Sequence, residues 1–156
     1  MQKESISFRI RTDNRKKFEE IFTNKTEGIN EAIEQFFYFR QYALQELKGK
    51  FEERELYAIV DAFNGLQLQH EHMTVVNMFV WELEDHERYN SMSKRWDINY
   101  NEFMKKVRSI TSAQVYFFLL EIQRFWSLED TAYQDENGQN SLEKFIHFFL
   151  TERNEV

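Results

Sequence analysis

The sequence contains no cysteine and no proline, and only four glycines among its 156 residues. Without cysteine the chain has no disulfide framework, no thiolate ligand for a metal and no cysteine nucleophile. Proline and glycine are the residues that most often interrupt helices, so their scarcity favours a mainly helical protein. The sequence also lacks an uninterrupted apolar run long enough to span a bilayer, and its start does not resemble a signal peptide. We therefore expect a cytoplasmic protein with no membrane partner.

Aromatic residues, in contrast, are abundant. Phenylalanine, tyrosine and tryptophan number 16, 7 and 3, which is 17% of the chain. Each of these side chains removes a large apolar area from water when it is buried, so the chain can form a sizeable core. Its length suits one domain of ordinary size or two small ones.

The charge of the chain is distributed unevenly. The formal net charge is −7, which taken alone argues against binding of nucleic acid. Residues 1–50 carry ten Lys/Arg and eight Asp/Glu, a net +2, whereas residues 51–156 carry ten and nineteen, a net −9. We therefore expect two domains with different tasks, one at residues 1–49 and an acidic one at residues 50–156.

Residues 5–11 alternate strictly between polar and apolar side chains, as in a half-buried β-strand. A single strand is not stable, and no second segment of similar quality occurs in the sequence. The pattern therefore predicts that this strand pairs with its copy in a homodimer, as a two-stranded ribbon. The expected inward residues are Ile6, Phe8 and Ile10, and the expected outward residues are Ser5, Ser7, Arg9 and Arg11.

Two helices are expected after this strand. A short one runs from Asn14 to Phe22. A longer one begins at Asn24, where Glu27 three residues later completes a capping-box pattern, and continues as far as Gly49. Its apolar stripe at helical spacing consists of Ile29, Ala32, Ile33, Phe36, Phe37, Leu44 and Leu47.

This order of strand, short helix and capped longer helix resembles the ribbon-helix-helix family of dimeric DNA-binding proteins. The likeness lies in SISFRIR at residues 5–11 and in NKTEGINEAIEQFF at residues 24–37. The resemblance implies a mainly α fold, in which an antiparallel ribbon between two subunits precedes an all-α C-terminal bundle.

The resemblance also implies a DNA-binding site. In that family, outward ribbon residues contact base edges in the major groove, and amides at the start of the second helix bind a phosphate. Arginine can donate two hydrogen bonds to guanine, and a helix N-terminus favours an anion. The alternative interpretation is a charged solvated surface on a ribbon that serves dimerisation only. The residues implied are Ser5, Ser7, Arg9 and Arg11 for bases, Arg15, Lys16, Lys17, Asn24, Lys25 and Thr26 for phosphates, and Ile6, Phe8, Ile10, Ile33, Phe36 and Phe37 for the dimer core.

The C-terminal region is predicted to form four or five further helices. The helix after Thr111 is the most apolar, so we expect it to lie at the centre of the bundle. Residues 89–98 are similar, in a diffuse way, to small uncharacterised phage and plasmid proteins of Gram-positive bacteria. The expected helix starts are at Thr74, Asn99 with Glu102, Thr111 with Gln114, and Asn140 with Glu143.

No group of residues in this region indicates a particular reaction. His70, His72 and His86 lie near acidic residues but match no metal-binding motif, and the acidic loop at residues 127–139 is explained by solvation. The sequence has no glycine-rich phosphate loop, nucleophile motif or cofactor fingerprint. We therefore predict no catalytic residues, no metal and no cofactor.

Two hypotheses of function remain open. The first is a homodimeric, sequence-specific transcriptional regulator that binds double-stranded DNA, a repressor or autorepressor from a mobile element. The second is a phage or plasmid inhibitor or adaptor whose acidic domain at residues 50–156 binds a protein partner, as anti-defence, partition or antitoxin proteins do. The resemblance favours the first hypothesis, and the charge of −9 motivates the second.

Overall fold

The computed structural model describes residues 11–64, 74–127, 134–139 and 141–150. Within these ranges the protein is built from eight α-helices and has no β-strand. None of the helices in the described ranges is both long and apolar enough to cross a membrane. The helices are α1 Thr12–Ile21, α2 Lys25–Leu47, α3 Glu53–Ala62, α4 Val75–Asn90, α5 Met92–Trp96, α6 Tyr100–Arg108, α7 Ser112–Ser127 and α8 Leu142–Leu150.

The expectation of an N-terminal β-ribbon is wrong for the part of the chain that the structure describes. Arg11, the last residue of the predicted strand, directly precedes α1, which begins at Thr12 with Asp13 in its first turn. An acidic residue there is favoured by the helix dipole. Residues 5–10 lie outside the described residues. The all-α architecture conflicts with a ribbon-helix-helix fold and agrees with the prediction only for the C-terminal region.

The chain divides into two compact units within α2, between Tyr38 and Phe39. The first unit contains α1 and the first part of α2, and Gly28 is the only buried residue among its described residues. The second unit contains the end of α2 and helices α3 to α8. The predicted domain boundary at residues 49 and 50 stays a prediction.

Aromatic side chains fill the core of the second unit. Phe118 of α7 is fully buried and contacts rings from three other segments: Phe149 of α8 at 4.8 Å, Phe79 of α4 at 6.2 Å and Phe51 at 6.4 Å between centroids. These contacts place α7 at the centre of the unit, as its apolar sequence predicts.

Side-chain caps define where several helices begin. Thr74 and Asn99 accept hydrogen bonds from the N–H groups of Asn77 and Glu102, each at 3.2 Å. Thr111 and Gln114 form the predicted reciprocal capping box. Asn140 lies outside the described residues, and α8 is capped by Ser141, whose Oγ accepts from the N–H of Lys144 at 3.3 Å.

A buried carboxylate joins the end of α2 to α7 inside the second unit. Glu121 is 1% exposed, and its Oε1 accepts hydrogen bonds from Arg40 Nε at 3.0 Å and from Arg124 Nη1 at 2.9 Å. Arg40 Nη2 donates to the same oxygen. Two arginines therefore compensate for the loss of water around one carboxylate.

Candidate interaction surface on the second helix

The first unit is a helical hairpin packed around a glycine. Gly28 of α2 is buried, and the rings of Phe18 and Phe22 lie beside it with centroids 4.9 Å apart. A Cβ atom at residue 28 would lie 2.5 Å from Cγ of Phe22, well inside the contact distance of two carbon atoms. The missing side chain therefore allows α1 and α2 to approach closely.

Asn24 caps α2, as the sequence predicts. Its Oδ1 accepts hydrogen bonds from the N–H groups of Thr26 at 3.1 Å and Glu27 at 3.4 Å. The amide of Thr26 is one of those that the resemblance assigns to a phosphate. Because this amide already has an acceptor, a phosphate at this helix end would have to displace the side chain of Asn24.

Two of the predicted phosphate-binding residues share one carboxylate. Arg15 Nε donates to Glu19 Oε1 at 2.9 Å, and Lys25 Nζ lies 3.0 Å from the same oxygen. The hydrogen bonds from Arg15 and then Lys25 hold the pKa of Glu19 below its ordinary value. The local positive charge of this region is therefore partly neutralised. The other described residues of the predicted DNA site are exposed: Arg11, Lys16, Lys17 and Thr26.

The remaining residues assigned to the ribbon lie outside the described residues. The structure therefore tests neither the predicted base-contacting residues nor the predicted ribbon residues of the dimer core. These residues are Ser5, Ser7 and Arg9 of the outward set and Ile6, Phe8 and Ile10 of the inward set.

The other half of the predicted dimer core forms an exposed apolar surface. Ile33, Phe36 and Phe37 are 44%, 41% and 60% exposed, and the last two rings meet edge to face at 5.7 Å. We call these three residues the α2 apolar face. Their side chains carry no polar atom that would benefit from contact with water, so their exposure is unfavourable unless another surface covers them.

The same side of α2 is buried farther along the helix. Ala43, Leu44 and Leu47 follow the α2 apolar face at the helical spacing of three and four residues, so they lie on the same side of the helix. They are at most 3% exposed and belong to the core of the second unit. Arg40 lies between the two groups and bonds to Glu121. One stripe of α2 is therefore covered at its C-terminal end and exposed at its N-terminal end.

The opposite side of α2 has a different chemistry. Tyr38 and Tyr42 are 63% and 55% exposed, and their hydroxyl groups suit a ring that faces water. Phe39, 54% exposed, lies between the two sides. None of these three residues belongs to the apolar stripe predicted from the sequence, although the run FFYF at residues 36–39 is a visible signal of an unusually aromatic helix.

The second unit has an acidic cleft between residues 135–137 and the start of α8. Some of its polar side chains already take part in local hydrogen bonds: Asp135 Oδ1 accepts from the N–H groups of Asn137 and Gln139 at 2.8 and 3.0 Å. Lys144 Nζ also lies in the cleft, where it donates to the carbonyl of Gln134. Among the described residues, no cluster of three or more His, Asp or Glu side chains is arranged to hold a metal.

Comparison of the chain with protein families, with curated proteins and with solved structures finds no match. The surfaces of the molecule are therefore the basis for inferring what it does.

Proposed function

We propose that the protein is an adaptor or inhibitor that binds another protein chain through the α2 apolar face. The observation that carries this proposal is the exposure of Ile33, Phe36 and Phe37 on a stripe that is buried farther along the same helix. Burial of apolar surface is the dominant favourable contribution to most protein association. A contiguous apolar group on a helix suits the binding of a partner helix or groove.

The chemistry of this face favours a protein partner over a nucleic acid. Phosphate binding requires cationic groups, and the α2 apolar face has none. Nearby, Arg15 and Lys25 are bound to Glu19, and the acidic residues Glu31 and Glu34 are exposed on α2.

Site-specific photo-crosslinking tests the proposal. Phe37 is replaced by benzoyl-phenylalanine in the full-length protein, which is then irradiated in cells and analysed by mass spectrometry. Tyr89 on α4, which is 72% exposed, takes the same substitution as the control. We expect a discrete protein adduct from position 37 and none of the same mass from position 89. The absence of any adduct specific to position 37 would contradict the proposal.

DNA binding remains a second candidate because of the exposed cations of α1, Lys16 and Lys17. The logarithm of the DNA-binding constant falls with the logarithm of the salt concentration, and each cation that binds a phosphate makes this slope steeper by about one, because it releases a counterion from the DNA. Replacing both lysines by alanine should therefore make the slope for duplex DNA shallower by about two. The exposed lysines Lys94 and Lys105 of the second unit are the matched control pair. Identical slopes for all three proteins would exclude α1 as a phosphate-binding element.

A further inference from the structure

We infer that Asn137 is a modification site, where spontaneous deamidation converts the side-chain amide to a carboxylate inside the acidic cleft. This modification is independent of the proposed function. Three features support it: the sequence Asn137-Gly138, the exposure of both residues, and the hydrogen bonds of the turn at residues 135–139 that contains them. We call this segment the Asn137 turn.

An asparagine followed by a glycine can react with its own backbone. The N–H of Gly138 loses its proton to a base in the solvent, and the nitrogen forms a bond to Cγ of Asn137. The side-chain nitrogen takes up a proton and leaves as ammonia, which closes a succinimide ring. Water then adds to either ring carbonyl and breaks its bond to the ring nitrogen. Opening at Cγ gives aspartate, whereas opening at the main-chain carbonyl gives isoaspartate, so water is the only co-reactant.

Glycine at residue 138 leaves the attacking nitrogen accessible, because it has no Cβ atom. Asn137 and Gly138 are both exposed. Within the described part of the chain, a Cβ atom on Gly138 would have no neighbour within 4 Å apart from the adjoining residues. Water and a solvent base can therefore reach the reacting atoms. The sequence has one other Asn-Gly pair, Asn64-Gly65, whose glycine lies outside the described residues.

The hydrogen bonds of the Asn137 turn oppose the reaction. The N–H of Gly138 donates to the carbonyl of Asp135 at 3.1 Å, so the nitrogen must leave this bond before it can attack. The carboxylate of Asp135 also holds the turn closed, because its Oδ1 accepts from the N–H groups of Asn137 and Gln139. Residues 136–139 are all exposed, so little apolar burial resists opening. Deamidation therefore proceeds from the open turn, at a rate that Asp135 lowers.

Deamidation changes both the charge and the shape of the cleft. The new carboxylate joins those of Asp135, Glu136 and Glu143, which line the same cleft, and charges of the same sign repel each other. Isoaspartate also lengthens the main chain by a methylene group, so the N–H groups bound by Asp135 no longer keep their spacing. We expect both products to loosen the turn, isoaspartate more than aspartate.

Peptide mapping by mass spectrometry during incubation at mildly alkaline pH tests the inference. A peptide of residues 134–139 with blocked ends supplies the rate of the open chain. Asn137 of the full-length protein should convert about tenfold more slowly than the peptide, because the turn must open first, and Asp135→Ala should recover most of this difference. No conversion of Asn137 in the wild-type protein after about ten half-lives of the peptide would overturn the inference.

Two controls separate the hydrogen bonds of Asp135 from its charge. Glu136→Ala removes a neighbouring exposed carboxylate from the same turn and should leave the rate within about twofold. Asp135→Asn removes the charge but keeps an oxygen that can accept hydrogen bonds, so its rate should stay closer to wild type than to Asp135→Ala. Equal acceleration by Asp135→Ala and Glu136→Ala would overturn the role of the turn, as would a wild-type rate equal to that of the peptide.

The products themselves are compared by amide hydrogen exchange. Ion exchange separates the isoaspartate form from aged protein, and Asn137→Asp supplies the added charge without the altered main chain. Exchange at Gln139 should be fastest in the isoaspartate form, because its N–H loses the bond to Asp135, and slowest in wild type. Identical exchange in the three proteins would contradict the expected loosening of the turn.

Discussion

Among individual residues, the buried carboxylate Glu121 is a strong determinant of the second unit. It lies on α7, and Arg40 reaches it from a position 81 residues earlier in the chain. Nothing in the local sequence distinguishes Glu121 from a solvated glutamate. Its importance comes from burial, because a carboxylate removed from water is stable only with compensating hydrogen bonds.

Replacing Glu121 by glutamine should therefore lower the free energy of unfolding by about 1.5–2 kcal/mol, because Arg40 and Arg124 lose their anionic acceptor but are themselves partly exposed to water. Urea denaturation monitored by circular dichroism measures this change. Glu102→Gln, at an exposed position on α6, is the control and should change stability by less than about 0.5 kcal/mol. A similar small effect at Glu121 would show that its ion pairs add little.

The ionisation of Tyr57 predicts how stability depends on high pH. Burial, and then the nearby charge of Glu53 and Glu143, raises the pKa of Tyr57 above its ordinary value of 10.0. The folded state therefore holds this proton more tightly than the unfolded state does, so stability is fully present below pH 10 and is lost as the pH rises beyond it. Tyr57→Phe should reduce the loss, measured as the free energy of unfolding between pH 9 and 11 (about one unit either side of 10). An unchanged pH dependence would contradict this assignment.

Among the helices, α2 shows at Gly28 how tertiary packing can override helix propensity. In the sequence this glycine is a poor helix former at the start of α2, and alanine there would favour the isolated helix by about 1 kcal/mol. In the structure, a Cβ atom would collide with the Cγ and Cβ atoms of Phe22, at 2.5 and 2.6 Å. These atoms lie close to the backbone, so the clash cannot be relieved by moving the end of a side chain.

We therefore expect Gly28→Ala to destabilise the hairpin of α1 and α2 by about 1 kcal/mol after the gain in helix propensity is subtracted. Amide hydrogen exchange in α1 of the full-length protein measures this. Asn30→Ala, an exposed substitution nearby on the same helix, should preserve or increase protection. Increased protection of α1 in Gly28→Ala would show that the contact with Phe22 relaxes without cost.

Helix starts were the most predictable elements, because capping depends on residues three positions apart. The caps at Asn24, Thr74, Asn99 and Thr111 are present where the sequence predicts them. The five-residue helix α5 was not predicted, since it begins after Ser91 and ends before Asp97, both in the left-handed conformation. The sequence does not mark such positions when no glycine occupies them.

Across the chain, the two units differ in how much surface they bury. The described part of the first unit has one buried residue, whereas the second has an aromatic core. Opening of the first unit should therefore require less free energy than opening of the second. Amide hydrogen exchange of the full-length protein should be faster at residues 29–38 than in α7. Equal protection of both regions would contradict this view.

Local features of this protein follow from its amino-acid sequence alone. Its scarcity of proline and glycine, its caps and its apolar spacing establish most of the helices, because these effects act within a few residues. The same local reasoning failed at the ribbon: strict alternation favours a strand, but Arg11 directly precedes α1 and the described residues contain no strand.

Which parts of those helices are covered depends on the folded arrangement of the chain. The stripe of α2 looks uniform in the sequence, yet Leu44 and Leu47 are buried while Ile33 and Phe37 are exposed. The pairing of Arg40 with Glu121 and the need for Gly28 beside Phe22 are likewise invisible to local patterns. The sequence alone identifies Ile33, Phe36 and Phe37 as members of an apolar stripe. Because burial depends on segments that are distant in the chain, only the fold shows that these three residues are exposed.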